Sequence, residues 1–109
     1  MARTCIKTPY RAEWETVNRV VEDVLKEEGF HKKRINEEDC WKKGTGMATA
    51  MQFMKIEYTE TEAHIYGWIQ VGLGDVGGKE QNLDGFVGMV PKKNLKRRME
   101  KLARAIETA

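Results

Sequence analysis

The sequence predicts an α+β fold: a two-layer sandwich with an antiparallel sheet of three to four strands and the N- and C-terminal helices on one face, in the order α-β-β-β-(β)-α. Three observations predict it. Each end of the chain carries an apolar stripe at helical spacing. The middle carries two runs of alternating apolar residues joined by a short polar link. The connections are too short for crossovers, so neighbouring strands pair antiparallel and two amphipathic helices cover one side of the sheet. The 109 residues suffice for one domain, 1–109, and are too few for two. A chain of this size buries roughly 65% of its unfolded surface, enough for a core without disulfides or metal.

The first helix is expected from TPYRAEWETVNRVVEDVLKEEGF, with Thr8 capping free amides and Pro9 at the first helical position. Trp14, Val17, Val21, Val24 and Leu25 form its apolar stripe, Gly29 supplies a left-handed stop, and Phe30 folds back onto the last turn. The stretch HKKRINEEDCWKKGTG reads as irregular, with a short strand near Cys40–Lys43 and a loop at Glu37-Glu38-Asp39.

Two strands follow, AMQFMKIEY and HIYGWIQVGL, with Thr59 to Glu62 as their turn. Alternation fixes the register: Tyr58 opposite Ala63, Ile56 opposite Ile65, Met54 opposite Gly67, Phe53 opposite Trp68. A slip of one residue would mix the two faces, which burial penalises. A further short strand is expected in DGFVGMV, and the last helix from Pro91, with Leu95, Met99, Leu102, Ala103 and Ile106 as its stripe.

Charge is polarised along the chain. Between Pro91 and Glu107 seven cations face two acids, a net of +5 in a chain whose total is +2. On the wheel Lys93, Arg97, Lys101 and Arg104 make one stripe opposite the apolar residues. Lysines in a first turn oppose the helix dipole, so Lys92 and Lys93 are candidate contacts to phosphate together with that stripe. The bland reading is a solvated face balanced by the acidic first helix.

The alternation leaves Phe53, Tyr66 and Trp68, with Trp41 nearby, on the sheet face away from the helices. Open aromatic surface suits a partner or self-association interface, including a homodimer; a loop such as 31–46 or 74–84 folding over it is the competing reading. Gly72, Gly74 and Gly77 have the G-x-G-x-x-G spacing, but no helix follows to receive a phosphate, so a strand connection is expected there rather than a nucleotide site.

Catalytic signals are weak. The chain has no serine. His64 is expected opposite Glu57 as a surface pair. The run Glu37-Glu38-Asp39 lacks a ligand-loop pattern. Cys5 and Cys40 fit no metal or redox spacing, and no histidine base is placed to activate Cys40. No catalytic residue, metal or cofactor is expected. No run approaches ~18 apolar residues and the start lacks a signal core. A cytoplasmic protein with reduced thiols and no membrane contact is expected.

The order of elements and Pro91-Lys92-Lys93 resemble a double-stranded-RNA-binding domain, which implies phosphate contact by the paired lysines. The turn Thr59 to Glu62 departs from that family, being acidic where the family carries minor-groove residues. The segments CWKKGTG, QFMKIEY, YGWIQ and LDGFVGMVPKKNLKRRM, within residues 40–107, are similar to a small domain of uncharacterised bacterial proteins, which implies a bacterial origin and carries over no assigned activity. The expected function is a non-enzymatic binding or self-association module using the aromatic face, with nucleic-acid binding through the last helix as the alternative.

Overall fold

The computed structural model describes residues 3–35, 37–43, 51–71, 79–81 and 89–109. In chain order its elements are β1 (Thr4–Pro9), α1 (Trp14–Glu27), β2 (His31–Ile35), β3 (Glu38–Lys43), β4 (Met51–Tyr58), β5 (Glu62–Val71), β6 (Lys79–Gln81) and α2 (Met89–Thr108). The α+β class holds. The sheet has six strands rather than three to four, in the order β1-β5-β4-β3-β2, with β6 also paired to β5. Every pairing is antiparallel.

The first element is a strand, so the expected opening helix is displaced. Thr8 and Pro9 end β1 instead of capping α1, which starts at Trp14 with Glu13 in the cap position and no side-chain cap bond. The physical reason is period: in TCIKTP, Ile6 and Thr8 turn inward while Cys5 and Lys7 turn outward, a two-residue alternation that pairing with β5 completes. The same correction removes the double-stranded-RNA-binding order.

The polar stretch after α1 folds as a hairpin. Glu37 takes a left-handed φ of 63° at the turn, while Glu38 and Asp39 belong to β3 rather than to a loop. Strand β2 is an edge strand, and His31, Lys32, Lys33 and Arg34 are all exposed. Such charges keep an unpaired edge from templating another chain. This is why so polar a segment can be a strand at all.

The β4–β5 hairpin has the register that alternation requires, from Tyr58 opposite Ala63 through Ile56–Ile65 and Met54–Gly67 to Phe53–Trp68. Its turn is closed by Thr59 N–H donating to Glu62 O (2.8 Å) and by Glu62 N–H donating to Thr59 Oγ1 (2.9 Å).

Both helices lie on one side of the sheet. Val17, Val21 and Leu25 of α1 and Leu95, Met99, Leu102 and Ile106 of α2 form one core with Phe30, Trp41, Met54, Ala63, Ile65 and Ile69. Burying each large side chain is worth roughly 1.5–3 kcal/mol, so this layer dominates stability. Trp14 falls outside the expected stripe; it is 54% exposed at the first helical position and tilts against Tyr58, ring centroids 6.3 Å apart. At the other end of α1, Gly29 has φ 92°, its N–H donates to Lys26 O, and Phe30 N–H donates to Leu25 O. That paired bonding pattern satisfies the last carbonyls and seats Phe30 in the core.

Helix α2 begins at Met89, two residues before Pro91. Proline in a first turn forfeits nothing, because those N–H groups have no intrahelical partner. Residues 84–88 of the expected extra strand lie outside the described residues, and Met89 and Val90 are helical. The helices are tied together at Glu28, which accepts from Lys101 Nζ at 2.6 Å and Arg98 Nε at 3.3 Å. Arg98 also donates to Gln52 Oε1 at 2.9 Å, linking α2 to β4.

Two predictions follow from this packing. An added Cβ at Gly67 would stand 2.3 Å from Met99 Sδ in a fully buried site. Gly67→Ala should therefore destabilise by about 1–3 kcal/mol through overpacking, and Met99→Val in the same chain should recover part of the loss in urea denaturation. Glu28 is held below the ordinary value of a glutamate carboxyl, chiefly by the Lys101 hydrogen bond against the opposing effect of burial, with Arg98 assisting. Its contribution is present above that value and lost as pH falls through the depressed folded pKa. Glu28→Gln should cost about 0.5–1 kcal/mol at neutral pH, and the gap to wild type should close in the acid range.

Candidate ligand site on the outer sheet face

Strand β5 divides its residues between two faces. Ala63, Ile65, Gly67 and Ile69 meet the helices; Tyr66, Trp68 and Gln70 take the outer side. There Phe53 and Trp68, opposed across β4 and β5, stack at 5.4 Å with an interplanar angle of 4°. Met51 and Cys40 complete a second, smaller cluster, and Ile35 and Tyr66 pack against it.

The expectation of an uncovered aromatic face does not hold. Phe53 is 0% exposed and Trp68 2% exposed, and only Tyr66 of the three is partly exposed. The hairpin of β2 and β3 widens the sheet and brings Ile35 against the rings. From the opposite edge the Arg3 guanidinium lies 3.6 Å from the centroid of Trp68. Trp41 is on the other side altogether, in the helix-covered core, with Lys32 Nζ 5.4 Å over its ring. The four aromatics therefore do not form one surface.

Arg3 reaches across the sheet to Glu38 of β3, donating through both terminal nitrogens at 2.7 and 3.2 Å. Lys55 Nζ meets the same carboxylate at 3.1 Å and Glu57 at 3.3 Å. The Arg3 hydrogen bond, opposed by burial and assisted by Lys55, keeps the Glu38 carboxyl below its usual range. The Glu38 bond correspondingly holds Lys55 above its own. The planar fork of an arginine suits such a bidentate pair, and its flat face suits an indole.

Two cavities meet at this pair. One, about 290 Å³, is lined by Arg3, Glu38, Lys55, Glu57 and Tyr66. The other, about 140 Å³, is lined by Arg3, Ile35, Glu38, Cys40, Phe53, Trp68 and Gln70. Two atoms of the residues lining this second cavity are buried with no hydrogen-bond partner among the described residues: the donor Trp68 Nε1 and the acceptor Gln70 Oε1. Buried polar groups are nearly always satisfied, so an orphaned donor and an orphaned acceptor two residues apart on one strand need an explanation.

The other candidate residues resolve differently. On α2, Lys93, Arg97, Lys101 and Arg104 are exposed, but Lys92 is buried at 4%. It stands three residues before Leu95 and seven before Met99, on the apolar side of the wheel. The glycine motif at 72–77 lies outside the described residues, yet the strands flanking it, β5 and β6, pair with each other antiparallel. The described elements on either side of it are both strands, whereas the dinucleotide fingerprint sets a helix after its strand. His64 faces Glu57 across the hairpin, and its Nε2 is 3.7 Å from Glu62 Oε1, too long for a hydrogen bond. Among the described residues no group of three or more His, Cys, Asp or Glu is placed to hold a metal ion. No helix among them is long and apolar enough to cross a membrane.

The sequence analysis missed Arg3, Ile35, Glu38 and Gln70 as site residues. Gln70 was within reach, since alternation puts it on the Trp68 face; Arg3 and Glu38 meet only through the tertiary fold, 35 residues apart. The chain matches no protein-family model, no curated protein and no solved structure. The reading of the site thus stands on its geometry.

An acceptor buried without a partner weakens the fold. Gln70→Leu should raise stability by about 1 kcal/mol, several degrees in Tm for a domain of this size. Calorimetry on the two chains checks this.

Proposed function

We propose that this protein is a non-enzymatic binding module whose recognition surface is the outer sheet face, with Phe53 and Trp68 as its buried floor and Tyr66, Arg3 and Glu38 at its rim. The observation that supports the reading is the cavity of about 140 Å³ on the outer face, lined by the stacked Phe53 and Trp68 and by the Arg3–Glu38 pair; concave sites with an aromatic lining and a few placed polar groups are the usual form of a binding pocket. The described lining of the two cavities holds Cys40 but no histidine.

The test is a fragment titration followed by amide and indole resonances of the labelled chain. Shifts gathered on Phe53, Tyr66, Trp68 and Gln70 are expected. Fragments that perturb only other surfaces would remove the proposal.

A second reading is nucleic-acid binding by α2. Lys93, Arg97 and Arg104 are exposed and take part in no ion pair among the described residues, whereas Lys101 is engaged by Glu28. Three phosphate contacts would give a slope of log K against log salt of about −3 on duplex DNA. Fluorescence titrations at two salt concentrations, with Lys93→Glu/Arg97→Glu/Arg104→Glu as the comparison, should show steep salt dependence that the triple variant loses. Flat or absent binding rejects the reading.

A further inference from the structure

We propose that the cavity between the end of α1 and one face of α2 is a seat for a small phosphate, either the free anion or the phosphate group of a monoester. The helices build it, so it stands apart from the outer sheet face and does not rest on that reading.

Three observations converge on that class. The first is the lining. The cavity, about 160 Å³, is bounded by Glu28, Asn94, Arg97, Arg98 and Lys101. All five side chains are polar, and all but the acid are donors. The donors stand at i, i+3, i+4 and i+7 on α2, the spacing of a single helix face. Glu28 meets them from the C-terminal cap of α1. The volume is several times the ~30 Å³ share of one water, which leaves room for a tetrahedral group.

The second is charge. Three cations less one acid give the lining a net +2. Two flanking ions leave that balance unchanged: the Glu27 carboxylate bears on Lys101, and Lys43 Nζ donates to Glu28 O at 2.6 Å. Free carbonyls at a helix C-terminus disfavour an anion. Here Lys26 O accepts from Gly29 N–H, Leu25 O from Phe30 N–H, and Glu28 O from Lys43. A phosphate monoester carries about −1.5 to −2 charge near pH 7, which answers the +2; a phosphodiester carries only one negative charge.

The third is the surplus of donors. The Glu28 carboxylate accepts from Lys101 Nζ at 2.6 Å and from Arg98 Nε at 3.3 Å, and Gln52 Oε1 accepts from Arg98 Nη1 at 2.9 Å. An ammonium has three N–H groups and a guanidinium five, so both cations keep donors to give. The side chains of Asn94 and Arg97 make no hydrogen bond or ion pair among the described residues. Tying the two helices together uses Arg98 and Lys101 and leaves Asn94 and Arg97 unexplained. Arg98 is gripped at two points and its side chain is only 23% exposed, so little ordering remains when a ligand arrives. An acceptor-only group with several oxygens matches such a set, and the arginine fork suits phosphate in particular.

The full chain, labelled with nitrogen-15, is titrated with sodium phosphate and, separately, with phenyl phosphate, sodium chloride holding the ionic strength constant. Sodium acetate is the monoanionic control. The readout is the Asn94 side-chain amide resonance, assigned by its loss in Asn94→Ala. Saturable movement is expected with both phosphates, and roughly tenfold weaker binding with acetate. Arg97→Gln, at an exposed position, should weaken both phosphates about tenfold, a hydrogen bond between charged groups being worth at least that factor. Glu28→Gln should tighten them several-fold by removing the one negative charge of the lining. Ions that serve only to join the helices give no such gain. Tighter binding of phenyl phosphate assigns the seat to an ester; otherwise the free anion is its ligand.

Two results overturn the inference. If acetate binds as well as phosphate, or if Arg97→Gln leaves phosphate binding unchanged, the cavity holds an adventitious ion only. If a DNA duplex without terminal phosphates moves Asn94 at lower concentration than either small phosphate, the cavity is one stop on a nucleic-acid track and the small-ligand assignment falls. The Trp68 indole resonance, followed in the same spectra, reports the outer face separately, so failure here and failure there are told apart.

Discussion

The alternation of β5 is the constraint on which everything else rests. It is paired on both edges, by β4 along one side and by β1 and β6 in succession along the other. A strand held on both edges has no freedom of register. Each odd position from Ala63 to Ile69 is committed to the helices, while Tyr66 and Trp68 at even positions join the outer cluster. Position 67 has no side chain, which lets Met99 of α2 settle directly over the sheet. The same alternation sends Trp68 and Gln70 out together on one face, where Trp68 Nε1 and Gln70 Oε1 have no partner among the described residues.

Where physics is local, the sequence was readable. The β4–β5 register follows from keeping aliphatic side chains on one face, and the stop of α1 follows from Gly29. The inner stripe of α2 follows from spacing alone, and the same spacing put Lys92 next to Leu95, where its burial could have been foreseen. What escaped depends on partners distant in the chain. TCIKTP is a strand because β5 offers it an edge, and without that edge Thr8-Pro9 reads as a helix start. HKKRI is a strand because β3 pairs with it on one side only, so its charges can remain in water. Trp14 read as a core residue because helical periodicity cannot say where the sheet beneath it ends.

The outer face shows the same division. Alternation identified Phe53, Tyr66 and Trp68 as neighbours, which they are. It could not show that a β2–β3 hairpin would extend the sheet, or that an arginine before β1 would lie on the indole. Aromatic rings on a second face are costly to leave wet, and the chain covers Phe53 and Trp68 with its own residues. The charge pattern is also more internal than the sequence suggests. Part of the basic character of α2 is absorbed by Glu28, which serves Arg98 and Lys101 at once, so the stripe left to solvent is narrower than the row of lysines and arginines in the sequence.

Arg3, the residue that lies on the indole, stands one position ahead of β1, so its place is set by its own grip on Glu38 and Trp68 rather than by the ladder that begins at Thr4.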